Sequence, residues 1–288
     1  VFVIDRRYLD FFADSHAGAC RFLPATSSLV TPGIRRKEWE CPILFAGSYQ
    51  EVTPVLRRFP GDRSEELQAV LHYLIDHPGA QGGEAMEILA VSQATREHIA
   101  READPRSAHL RNRLPDPARR MDYWLYALAN SYKRERIVRV LLESGLVVYG
   151  PPAWLSVLGS RYAAQYKGWL AAEDLPDAYA SALVCLNIHS LQCPTSLNPR
   201  DFDILAAGGC LLTDWVEDVD AGLIQSGEDG LVYRSESDLL IQVDGLLQDE
   251  ERREGLARRG RDTWEKRHTP AHRAGAMLEI VRRIYREE

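Results

Sequence analysis

Arg200 and Asp203 stand one helical turn apart, just after Asn198, in the stretch NPRDFDILAAGGCLLTD that spans residues 198–214. Asn198 is a strong N-cap, Pro199 fits the first helical position, and Asp201 falls in the first turn, where acids are favoured. A helix start of this kind is expected to present free backbone N–H groups and a positive dipole end. With the Arg200 guanidinium beside it, that combination suits a diphosphate. Asp203, one turn further in, is placed to accept hydrogen bonds from a ribose. Further candidates stand at the ends of predicted strands: the Gly47-Ser48 turn, Tyr149, and the isolated Lys167. Ligands of open α/β sheets bind at such ends, and a small flexible turn there lets a phosphate come close. Each feature also has a plainer reading: an αβ step, a βα turn, a surface charge.

The elements that must position these residues are legible from apolar runs and stops. Phe202, Leu205 and Ala206 share one side of the short helix, Gly208-Gly209 closes it as a left-handed stop, and Cys210–Leu212 begins a buried strand. Other strands are predicted at Ile43–Ala46, at Leu146–Tyr149 before Gly150-Pro151-Pro152, at Leu183–Ile188 with Asn187 and His189 at its carboxyl end, and at Leu231–Tyr233. Between the first two lies a helical insertion from Ser64 to Glu143. Its stripes are Leu67, Val70, Leu71, Leu74 and Ile75, then Trp124, Leu125, Ala127 and Leu128. Three helical spans are expected there, separated at residues 79–83 and 104–120, and the mixed-sign tract Ile99–Arg113 reads as a solvated face or exposed loop. Ahead of the main unit, Val1–Asp5 forms a short strand, an amphipathic segment runs to about His16, and ACRFLPAT is a second strand leaving at Pro24. The Pro/Gly-bearing tract from Ala25 to Glu40 reads as a linker.

With 288 residues, 45% hydrophobic, the chain has ample material for packed cores. A formal charge of −7 argues against general nucleic-acid binding, which needs a basic face. Five cysteines without CxxC spacing point to buried thiols in a reducing compartment, and eight histidines without a ligand motif predict no protein-held metal. No apolar run approaches the roughly 20 residues that span a bilayer, and no basic-then-apolar leader opens the chain. The expectation is a cytoplasmic protein without a membrane span, numbered from inside a longer or processed chain.

The 198–214 stretch resembles the group-1 glycosyltransferases, most closely their spore-maturation-protein-like branch. The pattern there is an Arg, then Phe-Glu-hydrophobic-Leu-Ala-small-Gly-Gly, then an apolar strand ending in Thr-Asp. Arg200, Phe202, Asp203, Leu205, Ala206, Gly208, Gly209, Thr213 and Asp214 stand in that arrangement, with Asp203 in place of the glutamate. Collinear matches include Gly47-Ser48 as a donor-facing loop, Tyr166-Lys167-Gly168, Leu175-Pro176, Tyr179-Ala180, and the terminal His268-Thr269 with Arg273, for which a structural cap is preferred. The second glutamate of retaining relatives, eight residues before Asp203, is Thr195 here.

The resemblance implies an α/β fold: a GT-B-type Rossmann-like C-terminal domain with a parallel sheet and helical insertion, preceded by the end of an N-terminal Rossmann-like domain. Residues 1–35 would be the remnant of that acceptor-side domain plus linker, and residues 36–288 the nucleotide-sugar-binding domain. It implies Arg200 as the catalytic group, and Gly47, Ser48, Tyr149, Lys167, Asn198, Asp203 and Gly208 as donor-binding. No metal and no cofactor are expected beyond the nucleotide-sugar co-substrate. The implied activity is metal-independent, hexosyltransferase-like transfer of a sugar from a nucleotide-diphosphate sugar to an unknown glycan, lipid or protein acceptor; the sequence names no general base, which in an inverting enzyme would come from the N-terminal domain. The alternative is a catalytically degenerate nucleotide-sugar-binding or assembly module, in keeping with Asp203 and Thr195. A nucleotide-sugar epimerase on the same fold ranks below both.

Overall fold

The computed structural model describes residues 2–6, 8–9, 20–27, 31–104 and 114–287. A two-stranded parallel sheet pairs β1 (Phe2–Val3) with β2 (Arg21–Phe22). A separate five-stranded sheet contains β3 (Ile43–Ala46), β4 (Leu146–Tyr149), β5 (Val184–Asn187), β6 (Leu211–Asp214) and β7 (Leu231–Tyr233). Its order is β4-β3-β5-β6-β7, parallel throughout. Continuous aliphatic runs form these strands because helices cover both faces. The pleat sorts the runs into two cores. Ile43, Phe45, Val148, Leu186 and Leu212 join the core under the helical insertion. Leu44, Cys185, Leu211 and Val232 join the opposite core.

The insertion between β3 and β4 contains α1 (Thr53–Leu56), α2 (Asp62–Asp76), α3 (Gly82–Ile88), α4 (Gln93–Ala103) and the 25-residue α5 (Pro117–Leu141). Leu67, Val70, Leu71 and Leu74 are buried as their spacing predicts, while Ile75 and Trp124 are only half-buried. One break was missed, between α3 and α4. There Ala90 takes a left-handed φ of 50° and Ser92 caps α4 by accepting from the Thr95 N–H. Of the mixed-sign tract, Ile99–Ala103 closes α4, and residues 105–113 lie outside the described residues.

On the insertion side, α6 (Leu155–Tyr162) packs through Val157 and Leu158; on the other face α7 (Leu175–Ser181) precedes β5, and α8 (Pro199–Ala207) joins β5 to β6. The ends of α8 are those read from the sequence. The Arg200 N–H donates to Asn198 Oδ1 at 2.9 Å, and the Asn198 N–H to Asp201 Oδ2 at 2.9 Å. Gly208 ends the helix at φ 80°. Its neighbour Gly209 is needed for a different reason: a Cβ there would lie 2.8 Å from Tyr179 O and 3.0 Å from Cys185 Sγ. After α9 (Glu217–Asp220), the chain ends in α10 (Glu236–Gln248), α11 (Glu250–Arg267) and α12 (Pro270–Glu287).

The tract read as a linker runs along the back of α7 and α8. The Gly33 N–H donates to Ala207 O at 3.0 Å, the Ile34 N–H to Asp177 Oδ1 at 2.8 Å, and the Arg36 N–H to Ser181 Oγ at 2.9 Å. Where the last helices turn back, Arg273 Nε donates to the carbonyls of Pro24 and Ala25 at 3.0 and 3.1 Å. Arg273 also meets His268 Nδ1 at 2.7 Å, and Thr26 Oγ1 donates to His268 O. Burial, with Arg273 and Arg267 beside it, pushes the His268 imidazole down to about 4, so at neutral pH it is the uncharged acceptor this corner requires. His268 and Arg273 therefore fasten the N-terminal segment to the C-terminal helices. Among the described residues, no helix is long and apolar enough to cross a membrane.

Because Gly208 and Gly209 do different work, their substitutions separate. Gly208→Ala should lower unfolding free energy by about 1 kcal/mol for φ strain, with Gly208→Asn milder. Gly209→Ala should lower it by about 1–3 kcal/mol through overpacking against Tyr179 O. Urea titrations of the three variants check this, and a neutral Gly209→Ala would sink the close-approach account.

Candidate functional site

The chain leaves β3 toward β4 on one side, and β5 pairs on the other, so a crevice opens at the carboxyl ends of these strands. A cleft of about 500 Å³ fills it. Its walls include Gly47 and Ser48 after β3, Tyr149 and Gly150 at the end of β4, Leu175 and Tyr179 of α7, and Asn198, Arg200 and Asp203 of α8. The turns after β3 and β4 touch each other. The Gly47 N–H donates to Tyr149 O at 3.0 Å, and Gly47 O accepts from Trp154 Nε1 at 2.8 Å. Gly150, at φ 148°, faces Gly47 O with no room for a side chain.

Six of the eight residues expected at the site line this cleft: Gly47, Ser48, Tyr149, Asn198, Arg200 and Asp203. Two do not. Gly208 caps the far end of α8 and lines a different cavity with Arg253. A helix presents its two ends to opposite sides of the sheet, so a C-cap glycine has no route to the crevice. Lys167 is exposed beside β4, its N–H donating to Val148 O at 3.0 Å, and its charge falls on the Cys41 thiol.

A second cation does face the cleft, and it comes from α5. Arg134 Nη1 donates to Ser48 O at 3.0 Å and to Ser48 Oγ at 2.8 Å, while its buried Nε has no partner. Burial, then the nearby Arg200 charge, pushes the Arg134 guanidinium down to about 10, still charged at neutral pH. Two like charges converging on one cleft repel, and an anion between them relieves both. Its sequence signal was the run KRER on a helix read for its apolar stripe alone.

The helix start differs from expectation in one respect. The box that caps α8 also occupies its donors: Pro199 has no N–H, the Arg200 N–H goes to Asn198 Oδ1, and the Asp201 N–H to Asn198 O at 3.2 Å. Attraction for an anion there comes from the helix dipole and from the guanidinia. Asp203 Oδ1 accepts from Ser27 Oγ at 2.6 Å, a hydroxyl contact of the kind a ribose would make. Trp169, 72% exposed, stands at the mouth of the cleft.

Behind the cleft a buried network holds α8 in place. His189, two residues past β5, donates from Nε2 to Asp201 Oδ2 and from Nδ1 to Asp214 Oδ1, both at 2.7 Å. The His189 N–H also reaches Asp214 Oδ1 at 2.8 Å. Lys133 Nζ donates to Asp214 Oδ2 at 2.5 Å, and Asn187 Nδ2 to Asp201 Oδ1 at 2.7 Å. Burial pulls the His189 pKa down, but the charges of Asp201 and Asp214 outweigh it and raise it to about 10. Burial likewise raises Asp214, yet Lys133 and His189 hold it well below the usual carboxylate range. Two acids and two cations balance, and His189 is an imidazolium at neutral pH. Arg200 Nη1 leans on the same network through Asn187 Oδ1 at 3.4 Å.

Thr195, where retaining relatives of the resembled family carry an acid, braces the loop between β5 and α8. Its N–H donates to Asp5 Oδ2 at 3.0 Å, its Oγ1 accepts from the Arg6 N–H at 3.2 Å, and its carbonyl accepts from the Asp218 N–H at 2.9 Å. Asp218 in turn meets Arg6 Nε at 3.2 Å.

A family model described as "Glycosyl transferase-like" matches residues 131–279. No curated protein sequence matches the chain. Among solved structures, sucrose-phosphate synthase from Thermosynechococcus elongatus is similar over 100% of this chain and 59% of its own, with a TM-score of 0.54 and 13% identity. TarM is similar over 97% of this chain and 42% of its own, with a TM-score of 0.50 and 8% identity. At these identities the likeness is one of fold, and the chain spans about half the length of these two proteins.

Removing the buried imidazolium leaves Asp201 and Asp214 short of a partner, so His189→Ala should cost about 3–5 kcal/mol of stability. His189 has a folded pKa near 10, above the roughly 6.5 of an unfolded histidine. Its contribution is therefore complete below about pH 6.5 and lost as pH rises through 10. Urea midpoints measured from pH 6 to pH 10 should fall in the parent chain, with that slope flattened in His189→Gln. Equal slopes would count against the charged pair.

Proposed function

This chain belongs to the glycosyl transferase-like family, and we propose that it moves a hexosyl group from a nucleoside-diphosphate sugar to an acceptor hydroxyl without a metal ion. Within the family, residues 198–214 favour the spore-maturation-protein-like branch. One observation carries the proposal: the guanidinia of Arg134 and Arg200 converge, with the Asp203 carboxylate, on a cleft at the strand-end crevice. In the transfer, the bond between the anomeric carbon and the diphosphate oxygen breaks and its electron pair stays on the diphosphate. The acceptor oxygen bonds to that carbon, and the hydroxyl proton leaves to a base or to water. Negative charge grows on the leaving oxygen as the bond lengthens, and cations already aimed at it stabilise the transition state more than the ground state. Arg200 and Arg134 supply them. Asp203 accepts from the ribose, and the apolar wall of Leu175 and Tyr179 backs the base. A cytoplasmic location is in keeping with the five free thiols.

A nucleotide-sugar-binding module without turnover is the second reading, and the brace at Thr195 favours it. No carboxylate stands at that position, and Thr195 is engaged with Asp5 and Arg6 instead. Calorimetric titration with UDP and with GDP, followed by donor hydrolysis and transfer assays on the full chain, separates the two.

If the guanidinia act on the leaving group, Arg200→Ala and Arg134→Ala should each lower turnover more than they weaken nucleotide binding. Asp203→Ala should weaken the nucleotide by about 1–3 kcal/mol, the loss of a charged hydrogen bond. Asp203→Glu, which keeps the charge and adds a methylene, tells whether the pocket is shaped to the shorter acid. Unchanged affinity and transfer in all three alanine variants would leave residues 198–214 a helix-to-strand connection and nothing more.

A further inference from the structure

A second cavity, of about 700 Å³, opens at the carboxyl ends of β6 and β7, under α2 and α5. It shares no lining residue with the cleft described above. The partition between them is thin. Lys133 lines one and its neighbour Arg134 the other, and the chain Lys133, Asp214, His189, Asp201 runs from the wall of the second cavity to the first turn of α8.

The two cavities differ in charge. The first has two guanidinia against the Asp203 carboxylate, which suits an anion. The second has three acids, Asp76, Asp214 and Glu236, against three bases, Lys133, Arg136 and Arg234. Two of these pair directly, Lys133 with Asp214 at 2.5 Å and Arg136 with Glu236 at 2.7 Å. A balanced lining gives no net attraction for phosphate or for a cation, and six charged groups are a poor surface for an acyl chain.

What the lining lacks is acceptors for two of its donors. Trp215 Nε1 and Tyr233 Oη are buried in its wall and neither has a hydrogen-bond partner. Native structures rarely leave such donors unpaired, because each costs free energy. Trp215 is held by Arg234, 4.7 Å over its ring, and with Pro78 and Ile75 it gives the cavity apolar surface. A neutral ring that carries both hydroxyls and apolar C–H faces matches these features together. Its oxygens accept from indole, phenol and guanidinium, and its hydroxyls donate to the carboxylates.

We propose that this cavity binds a neutral saccharide, the sugar end of the acceptor. The acceptor role rests on the transferase reading, whereas the binding does not.

The test is saturation-transfer-difference NMR on the full chain with methyl glycosides of glucose, galactose, N-acetylglucosamine and rhamnose, alone and with UDP. Tyr233→Phe is the diagnostic variant, since it removes only a hydroxyl that the fold leaves unpaired and should be at least as stable as the parent. Glu236→Ala, at the half-buried rim, is the second. At least one glycoside should show transfer, weakened about five-fold or more in both variants, with UDP affinity within about two-fold of the parent. Absence of transfer from all four glycosides, or transfer unchanged in both variants, overturns the proposal. Glycoside binding that persists in a chain without UDP affinity would support this site while removing the transferase reading.

Discussion

A positive charge buried between two carboxylates holds the working end of this molecule together. His189 follows β5, Asp214 closes β6, and Asp201 stands in the first turn of α8, so the imidazolium joins three elements, with the Asn187 side chain of β5 bonded to Asp201 beside it. Such a charge is tolerated because each of its ring nitrogens has an acid at hydrogen-bonding distance and Lys133 balances the second acid. The orientation of α8 follows, and with it the place of Arg200. The cationic cleft is thus a surface expression of a neutral, buried, four-charge network.

This dependence explains why the helix start works differently from a phosphate-binding glycine loop. Asp201 accepts from the Asn198 N–H with the same oxygen that meets His189 Nε2. Asn198 Oδ1 takes the Arg200 N–H. A helix fixed so firmly at its N-terminus has used the amides that an anion would seek, and the side chains of Arg134 and Arg200 take over that task.

Residues 198–214 were legible almost to the residue because each boundary there rests on local chemistry: an Asn cap, a Pro at the first position, a Gly at positive φ. The five strands were legible as apolar runs, and the insertion as stripes of period 3.6. What stayed hidden depends on which way a helix faces once packed. KRER on α5 places Lys133 against Asp214 and Arg134 against Ser48, an outcome that no spacing along α5 specifies. Lys167 and Gly208 were misdirected for the same reason, being near the site in sequence pattern and turned elsewhere by packing. The break at Ala90 carried a signal in Ser92, a serviceable cap within an otherwise helical run.

The helical insertion also bears on how the chain reaches this structure. β3 and β4 are neighbours in the sheet, yet about a hundred residues, α1 to α5 among them, separate them in the chain. Loop-closure entropy grows only with the logarithm of length, about 0.6 kcal/mol per doubling, so the separation takes little from final stability. Its effect is on time. Contacts this far apart in sequence slow folding, and the open edge of β3 waits unpaired until the intervening chain has compacted. Helices α2, α3, α4 and α5 pack mainly on one another through Leu67, Leu71, Leu125 and Leu128. Contacts within the insertion shorten the effective separation of the two strands, and the helix that makes many of them, α5, is the one that carries Arg134 to the cleft.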